Sequence, residues 1–325
     1  MDRRRFLLTS LAGAIAAPLA AEAQARKVAR IGFLGGNDAS GYAGQLEAFR
    51  AGLRDHGYVE GKSILVEYRW AEGRYERLPE LARDLVHRRV DLIVTHGVPG
   101  TSAAKQATET VPIVMAIVGD AVAFGLVTNV ARPGGNVTGS TFFGPEVIAK
   151  RLEFLKEALP NASLVAILVN PDNRATPVVL KEMAVRARAL GLKLRDEEVR
   201  KPSEFERAFA AIAKERPDAL AIADDGVLIA HARQLSDLAA KHRLQSIGFK
   251  EYVQAGGLMS YSVDHLRVWR QAAVFVDKIL HGAKPGDLPI SQATHFELII
   301  NFKTAKALGL TIPPTLLQRA DQVIE

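Results

Sequence analysis

Hydrophobic and polar positions along this chain follow two periods in turn. Residues 28–34 are a short β-rich run that ends in Gly35-Gly36-Asn37. Over 45–56 the apolar residues Leu46, Phe49 and Leu53 fall three and four apart and the run stops at Gly57, the pattern of an amphipathic helix with its C-cap. Strands are then predicted at 64–68, 91–95, 112–118 and 136–141, with helices at 78–86 and 101–108 between them. The same alternation restarts in the second half. Strands at 164–169, 192–196, 219–223 and 246–249 are separated by helices at 178–190, 203–215 and 228–242, and a helix at 150–159 stands between the two series. Two successive strand–helix series predict an α/β protein of two doubly wound parallel-sheet lobes. No low-complexity linker divides them, so the lobes are expected to be hinged by crossing strands.

Length and composition agree with that division. The chain has 325 residues, 48% hydrophobic and 24% charged, more than one ordinary core fills. The absence of cysteine excludes disulfides, thiolate-held metals and a cysteine nucleophile. Lys and Arg number 42 against 36 Asp and Glu, a net +6. The basic residues mostly alternate with acids, as in Glu72-Gly73-Arg74-Tyr75-Glu76-Arg77, which reads as a solvated mixed surface with no nucleic-acid partner.

The first 25 residues read as a leader and not as fold. Arg3-Arg4-Arg5 form a basic region, 6–21 an apolar stretch, and Ala21-Glu22-Ala23 or Ala23-Gln24-Ala25 a small-x-small cleavage site. The stretch is too short for a membrane anchor, so no stable span is expected after processing. Arg3-Arg4-x-Phe6-Leu7 is similar to a twin-arginine signal, although Asp2 stands where Ser or Thr is commoner and the general secretory route stays open.

In open parallel sheets, ligands collect beyond the carboxyl ends of the strands. Those positions make Asn37, His96, Gly97, Gly119, Asp120, Asn170, Asp172, Asp224 and Asp225 candidates for hydrogen-bonding a small polar solute. Thr101-Ser102 would open a helix whose free N–H groups favour an anion such as a carboxylate, or would simply cap it. Of the paired Asp224 and Asp225, one could take a ligand ammonium while the other caps the next helix; a solvated loop pair is the alternative. Phe142, Phe143, Tyr42 and Tyr261 could form an aromatic wall or pack the hinge. No dinucleotide fingerprint, P-loop, H-E-x-x-H or G-x-S-x-G motif occurs. Neither a metal, a cofactor nor a catalytic group is therefore assigned.

Several stretches together carry a family resemblance. They are 48–53, Gly57-Tyr58-Val59-Glu60-Gly61-Lys62, 67–73, Ala131-Arg132-Pro133-Gly134-Gly135-Asn136-Val137-Thr138-Gly139, 150–153, Ala255-Gly256-Gly257-Leu258-Met259-Ser260-Tyr261, 276–280, 296–301 and 307–314. On these the chain resembles the bacterial ABC-transporter substrate-binding proteins related to tryptophan/tyrosine-type binding proteins, with a type I periplasmic-binding fold. The resemblance implies an extracytoplasmic receptor, without a reaction of its own, that hands a small polar solute such as an amino acid to a permease and its ATPase. It also implies three hinge crossings, near Phe142, Tyr261 and Asn301. The expected division is a leader at 1–25, a first lobe at 26–141 plus about 264–283, a second lobe at 142–263, and a return segment at 284–325. A periplasmic monomer is expected. The family's Asp-Pro-Val is Asp120-Ala121-Val122 here and its Tyr-Gly is Tyr261-Ser262, so the solute is left unnamed. A secreted enzyme on the same fold would have only Asp120, Asp224, Asp225 and His96 as base or nucleophile. A sensory module would need a DNA-binding segment where the leader lies.

Overall fold

The computed structural model describes residues 28–325; the leader and its arginine pair lie outside the described residues. The first lobe runs β1 (Ala29–Gly35), α1 (Ala43–Asp55), β2 (Ile64–Trp70), α2 (Leu78–His87), β3 (Leu92–Thr95), α3 (Gly97–Ala107), β4 (Ile113–Gly119) and β5 (Val137–Phe142). The second runs α4 (Gly144–Ala158), β6 (Leu164–Val169), α5 (Thr176–Ala189), β7 (Lys193–Glu198), α6 (Phe205–Glu215), β8 (Ala219–Ile222), α7 (Gly226–Ala230), α8 (Ala232–Lys241), β9 (Ser246–Gly248), α9 (Lys250–Gln254) and β10 (Met259–Val263). The chain then returns through α10 (His265–Leu280) and β11 (Ser291–Gln292), and ends with β12 (Phe296–Asn301), α11 (Phe302–Leu308), α12 (Pro314–Arg319) and β13 (Gln322–Ile324).

The first sheet has six strands in the order β11-β5-β4-β3-β1-β2, all parallel. Its central strands β3 and β4 are buried on both faces, which is why they read as continuous apolar runs instead of alternating ones. One face packs under α1 and α10, with Phe33, Phe49 and Trp269 in the core. The other packs under α2 and α3, with Leu85, Val98 and Ala104. The second sheet has seven strands, β13-β12-β10-β9-β8-β6-β7. Its helices likewise divide between a face built on Leu152, Leu155 and Met183 and a face built on Phe205, Phe209 and Leu235.

Three features depart from the reading of the sequence. The second sheet is not wholly parallel: β12 runs antiparallel to β10, and β13 pairs with β12. The strands cross between lobes after Phe142, after Val263 and between Gln292 and Phe296, so the third crossing precedes Asn301. Asn301 instead caps α11, accepting from the Thr304 N–H at 3.0 Å. Residues 284–292 therefore stand with the first lobe, and the chain from Phe296 onward with the second. The helix expected over 228–242 is also broken, at His231, into α7 and α8.

Candidate functional site

The carboxyl ends of the two sheets face each other across a cavity with about 850 Å3 of empty space, its open mouth included. On the first-lobe side, the chain leaves β3 through an extended His96, swings through a left-handed Gly97 at φ 66°, and enters α3 at once. That φ favours glycine. Pro99 fits because the first turn needs no N–H from it. Gly100 packs so near β3 that an added Cβ would stand 2.4 Å from the Thr95 hydroxyl. No side chain caps this helix, and Gly97, Val98, Pro99 and Gly100 line the cavity, so the positive end of α3 opens into it. The uncapped start of α4, at Gly144-Pro145, opens into the same space.

On the second-lobe side, the adjacent carboxylates have separate surroundings. Asp225 caps α7, accepting from the Val227 and Leu228 N–H groups at 2.9 and 3.4 Å. It also accepts from Asn170 at 3.2 Å, Asn173 at 3.0 Å and the Tyr75 phenol at 2.8 Å. Burial pushes its carboxyl up from the usual range, and the hydrogen bonds from Tyr75 and the two asparagines oppose that. Asp224 holds the fully buried Arg151 guanidinium through Oδ1 at 2.7 Å. Arg151 spends its other donors on the carbonyls of Tyr261 at 3.0 Å and Ile222 at 2.7 Å. The second Asp224 oxygen, Oδ2, is buried without a partner among the described residues, and Asp224 lines the cavity.

A third charged group straddles the lobes. Glu251 of α9 accepts from Gln45 of α1 at 3.0 Å and faces His265 Nδ1 of α10 at 3.0 Å. Burial alone would lower the His265 pKa, but the Glu251 carboxylate outweighs it and raises it. Burial would raise Glu251, yet the His265 charge holds it below the usual value. His96 behaves oppositely: burial, with the His265 charge second, drops it to about 4, so it is neutral. The remaining wall is aromatic. Trp269 stacks on Tyr42 at 5.9 Å, and Phe124 and Phe142 line the opposite part.

Of the residues singled out from the sequence, Tyr42, His96, Gly97, Gly119, Phe142, Asp224 and Asp225 line this cavity. The others are turned elsewhere, each for a local reason. Thr101 lies a turn inside α3 and donates its hydroxyl back to the Gly97 carbonyl at 2.8 Å, so the anion-friendly start is at Gly97 and not at Thr101-Ser102. Ser102 lies in a separate surface groove with Asp172. Asp172 is half exposed and pairs with Arg200 at 3.4 Å. Asp120 folds onto its own loop, accepting from the Ala123 N–H at 2.9 Å. Asn170 donates to Asp225 and lies outside the cavity lining. Tyr261 packs its ring between Phe154 and Phe296 inside the second lobe. Asn37 is buried outside the lining, beside Gly41 at the seam between the lobes. Tyr75, Arg151, His265 and Trp269 were not singled out. Trp269 and His265 had a signal, since Val268, Trp269, Ala272 and Val276 keep helical spacing along α10.

A family model described as ABC transporter substrate binding protein matches residues 39–324. A tyrosine-binding protein of Clostridioides difficile is 26% identical over 265 residues, 81% of this chain and 76% of that one. Among solved structures, a conserved domain protein from Vibrio cholerae has a TM-score of 0.83 at 29% identity, over 91% of this chain and 100% of that one. An ABC domain from Streptococcus pneumonia in complex with L-Trp has a TM-score of 0.81 at 25% identity, over 90% of this chain and 100% of that one.

Proposed function

The chain belongs to the ABC transporter substrate-binding protein family, and from that membership we propose that it is the periplasmic receptor of an importer whose solute is an L-α-amino acid with an aromatic side chain. One observation carries this reading. A single cavity has an uncapped helix start on its first-lobe side and an unpaired carboxylate oxygen, Asp224 Oδ2, on its second-lobe side, with aromatic walls between. The α-carboxylate would rest on the N–H groups opening α3, and the ammonium on Asp224. Only the closed form offers both contacts, so the ligand's differential affinity would drive closure and present the closed receptor to a permease and its ATPase. The relatives named for tyrosine and L-Trp support an aromatic side chain. Export would use the leader at 1–25, with Arg3-Arg4 read by the twin-arginine route and the protein acting as a monomer.

Calorimetric titration with L-tryptophan, L-tyrosine and the deaminated analogue indole-3-propionate tests the ligand. The amino acids should bind and be recovered chemically unchanged, and the analogue should bind about ten- to a hundredfold more weakly, the value of a charged hydrogen bond. Equal affinity for the analogue removes Asp224 from the reading, and binding of neither amino acid removes the reading itself.

A further inference from the structure

Resting on that reading, we propose that Tyr42 and His96 form a polar subsite that selects a side chain carrying a neutral hydrogen-bond donor, so that a phenol or an indole is taken in preference to a plain phenyl ring. The Tyr42 hydroxyl and His96 Nε2 are both buried in the cavity wall without a partner among the described residues. A buried polar atom left unpaired is costly, and one that opens on a ligand cavity is a demand on the ligand.

The two groups are held together and aimed at one place. The Tyr42 and His96 rings meet edge to face, with centroids 4.5 Å apart, and Trp269 backs both, 5.9 Å from Tyr42 and 5.0 Å from His96. A Cβ added to Gly226 would stand 2.6 Å from the Tyr42 hydroxyl, 3.0 Å from the Tyr75 hydroxyl and 3.8 Å from His96 Cε1. Three polar rings of the first lobe therefore converge over one glycine of the second. The missing side chain of Gly226 leaves that end of the cavity unblocked, and Gly226 itself lines the cavity.

The surrounding charges restrict what can sit there. A cationic side chain would meet His265, whose raised pKa favours its charged form and whose charge adds to burial in disfavouring protonation of His96. An anionic one would meet Asp225; burial first, and then the charges of Asp225, Asp38 and Glu251, already disfavour ionising Tyr42. A neutral N–H or O–H avoids both, and the Tyr42 oxygen or the unprotonated His96 nitrogen accepts it. A phenyl ring fills the same volume but leaves both acceptors buried and unpaired, the situation in which a site discriminates most strongly.

The test titrates the intact protein and its Tyr42→Phe variant with L-tyrosine, L-tryptophan and L-phenylalanine. The unsubstituted protein should prefer L-tyrosine and L-tryptophan over L-phenylalanine by about tenfold or more. Tyr42→Phe, which keeps the ring and loses one oxygen, should shrink that preference to about a few-fold, His96 still accepting, by weakening the first two ligands and not the third. Adding His96→Phe should abolish it. Equal binding of all three by the unsubstituted protein overturns the subsite while leaving the amino-acid reading intact. An equal loss for all three in Tyr42→Phe also overturns it, because the hydroxyl would then serve the amino-acid head. Failure of all three to bind the unsubstituted protein removes the amino-acid reading and the subsite together.

Discussion

The Tyr75 phenol of the first lobe donates to the Asp225 carboxylate of the second across 2.8 Å, and closes the seam above the cavity. The next residue, Gly226, has no room for even a methyl group beneath Tyr42 and Tyr75. Closure thus depends on a hydrogen bond at one position and on a missing side chain at the next. Gly226→Ala should prop the lobes apart, because both obstructing hydroxyls belong to the opposite lobe. The expected outcome is an unliganded melting point near that of the unsubstituted protein and an affinity about tenfold or more weaker. Small-angle scattering should show less contraction with ligand. Tyr75→Phe should act more mildly and mainly on dissociation, speeding it by about three- to tenfold, the value of one net hydrogen bond. A strong fall in unliganded stability with unchanged affinity in Gly226→Ala would place the crowding within the folded core and not at the seam.

Asp224 and Asp225 are neighbours with different tasks, and substitution should separate them. Asp225 receives five donors, so Asp225→Ala should strand buried amides and a helix start. We expect a loss of about 2–4 kcal/mol of unliganded stability, seen in urea melts. Asp224→Asn keeps an oxygen for Arg151 but gives up the charge facing the cavity. It should reduce discrimination between L-tryptophan and indole-3-propionate to about twofold or less. Retained discrimination would assign the ammonium to another group.

The strand–helix alternation was legible because the inner strands β3, β4, β6 and β8 are buried on two faces and read as unbroken apolar runs. The antiparallel end of the second sheet was less legible. β12 follows the first-lobe segment α10–β11, and its direction is set by where the chain re-enters the second lobe, which no local pattern encodes. At the site, the strand-end rule found His96, Gly97, Asp224 and Asp225, since it depends only on topology. The start of α3 lies at Gly97 and not at Thr101, because the first turn tolerates Pro99 and the Thr95 contact requires glycine at Gly100. Tyr75 was hidden among Glu72, Arg74, Glu76 and Arg77, whose charges speak for a solvated surface. Only the opposing lobe makes its phenol a buried group.

Arg151 ties the hinge to the site. It is fully buried and bonds the carbonyl of Tyr261 on β10, the carbonyl of Ile222 at the end of β8, and Asp224. Arg151→Met would remove one member of a buried ion pair and leave two carbonyls and Asp224 unserved, at about 3–5 kcal/mol in a denaturant melt. Arg151→Lys should recover little, because one ammonium cannot reproduce a planar three-way fork. Combined with Asp224→Asn, Arg151→Met should cost less than the two single losses added together. Strict additivity would show that the two side chains do not act as a pair.

Stability should pass through a maximum near neutral pH, with a different histidine controlling each side. His96 is lowered from 6.5 to about 4, so between those values the unfolded chain binds the proton more readily. Its contribution is complete above 6.5 and is lost as pH falls through about 4, at most about 3 kcal/mol. Glu251, also lowered, adds to this acid limb below its ordinary 4.5. Asp225, raised above 3.8, opposes both there, its folded form taking up a proton earlier than the unfolded chain. His265 has the reverse sign to His96. Its raised pKa makes its contribution full below 6.5 and lost as pH rises through the folded value. Because Glu251 sits in the other lobe, that alkaline loss should fall partly on closure, weakening ligand affinity as His265 gives up its proton. Urea melts and titrations from pH 4 to 9 should show His96→Phe with a flattened acid limb and an unchanged alkaline one. His265→Gln should flatten the alkaline limb in both stability and affinity. Curves that remain parallel to the unsubstituted protein's in either variant would assign that limb to other groups.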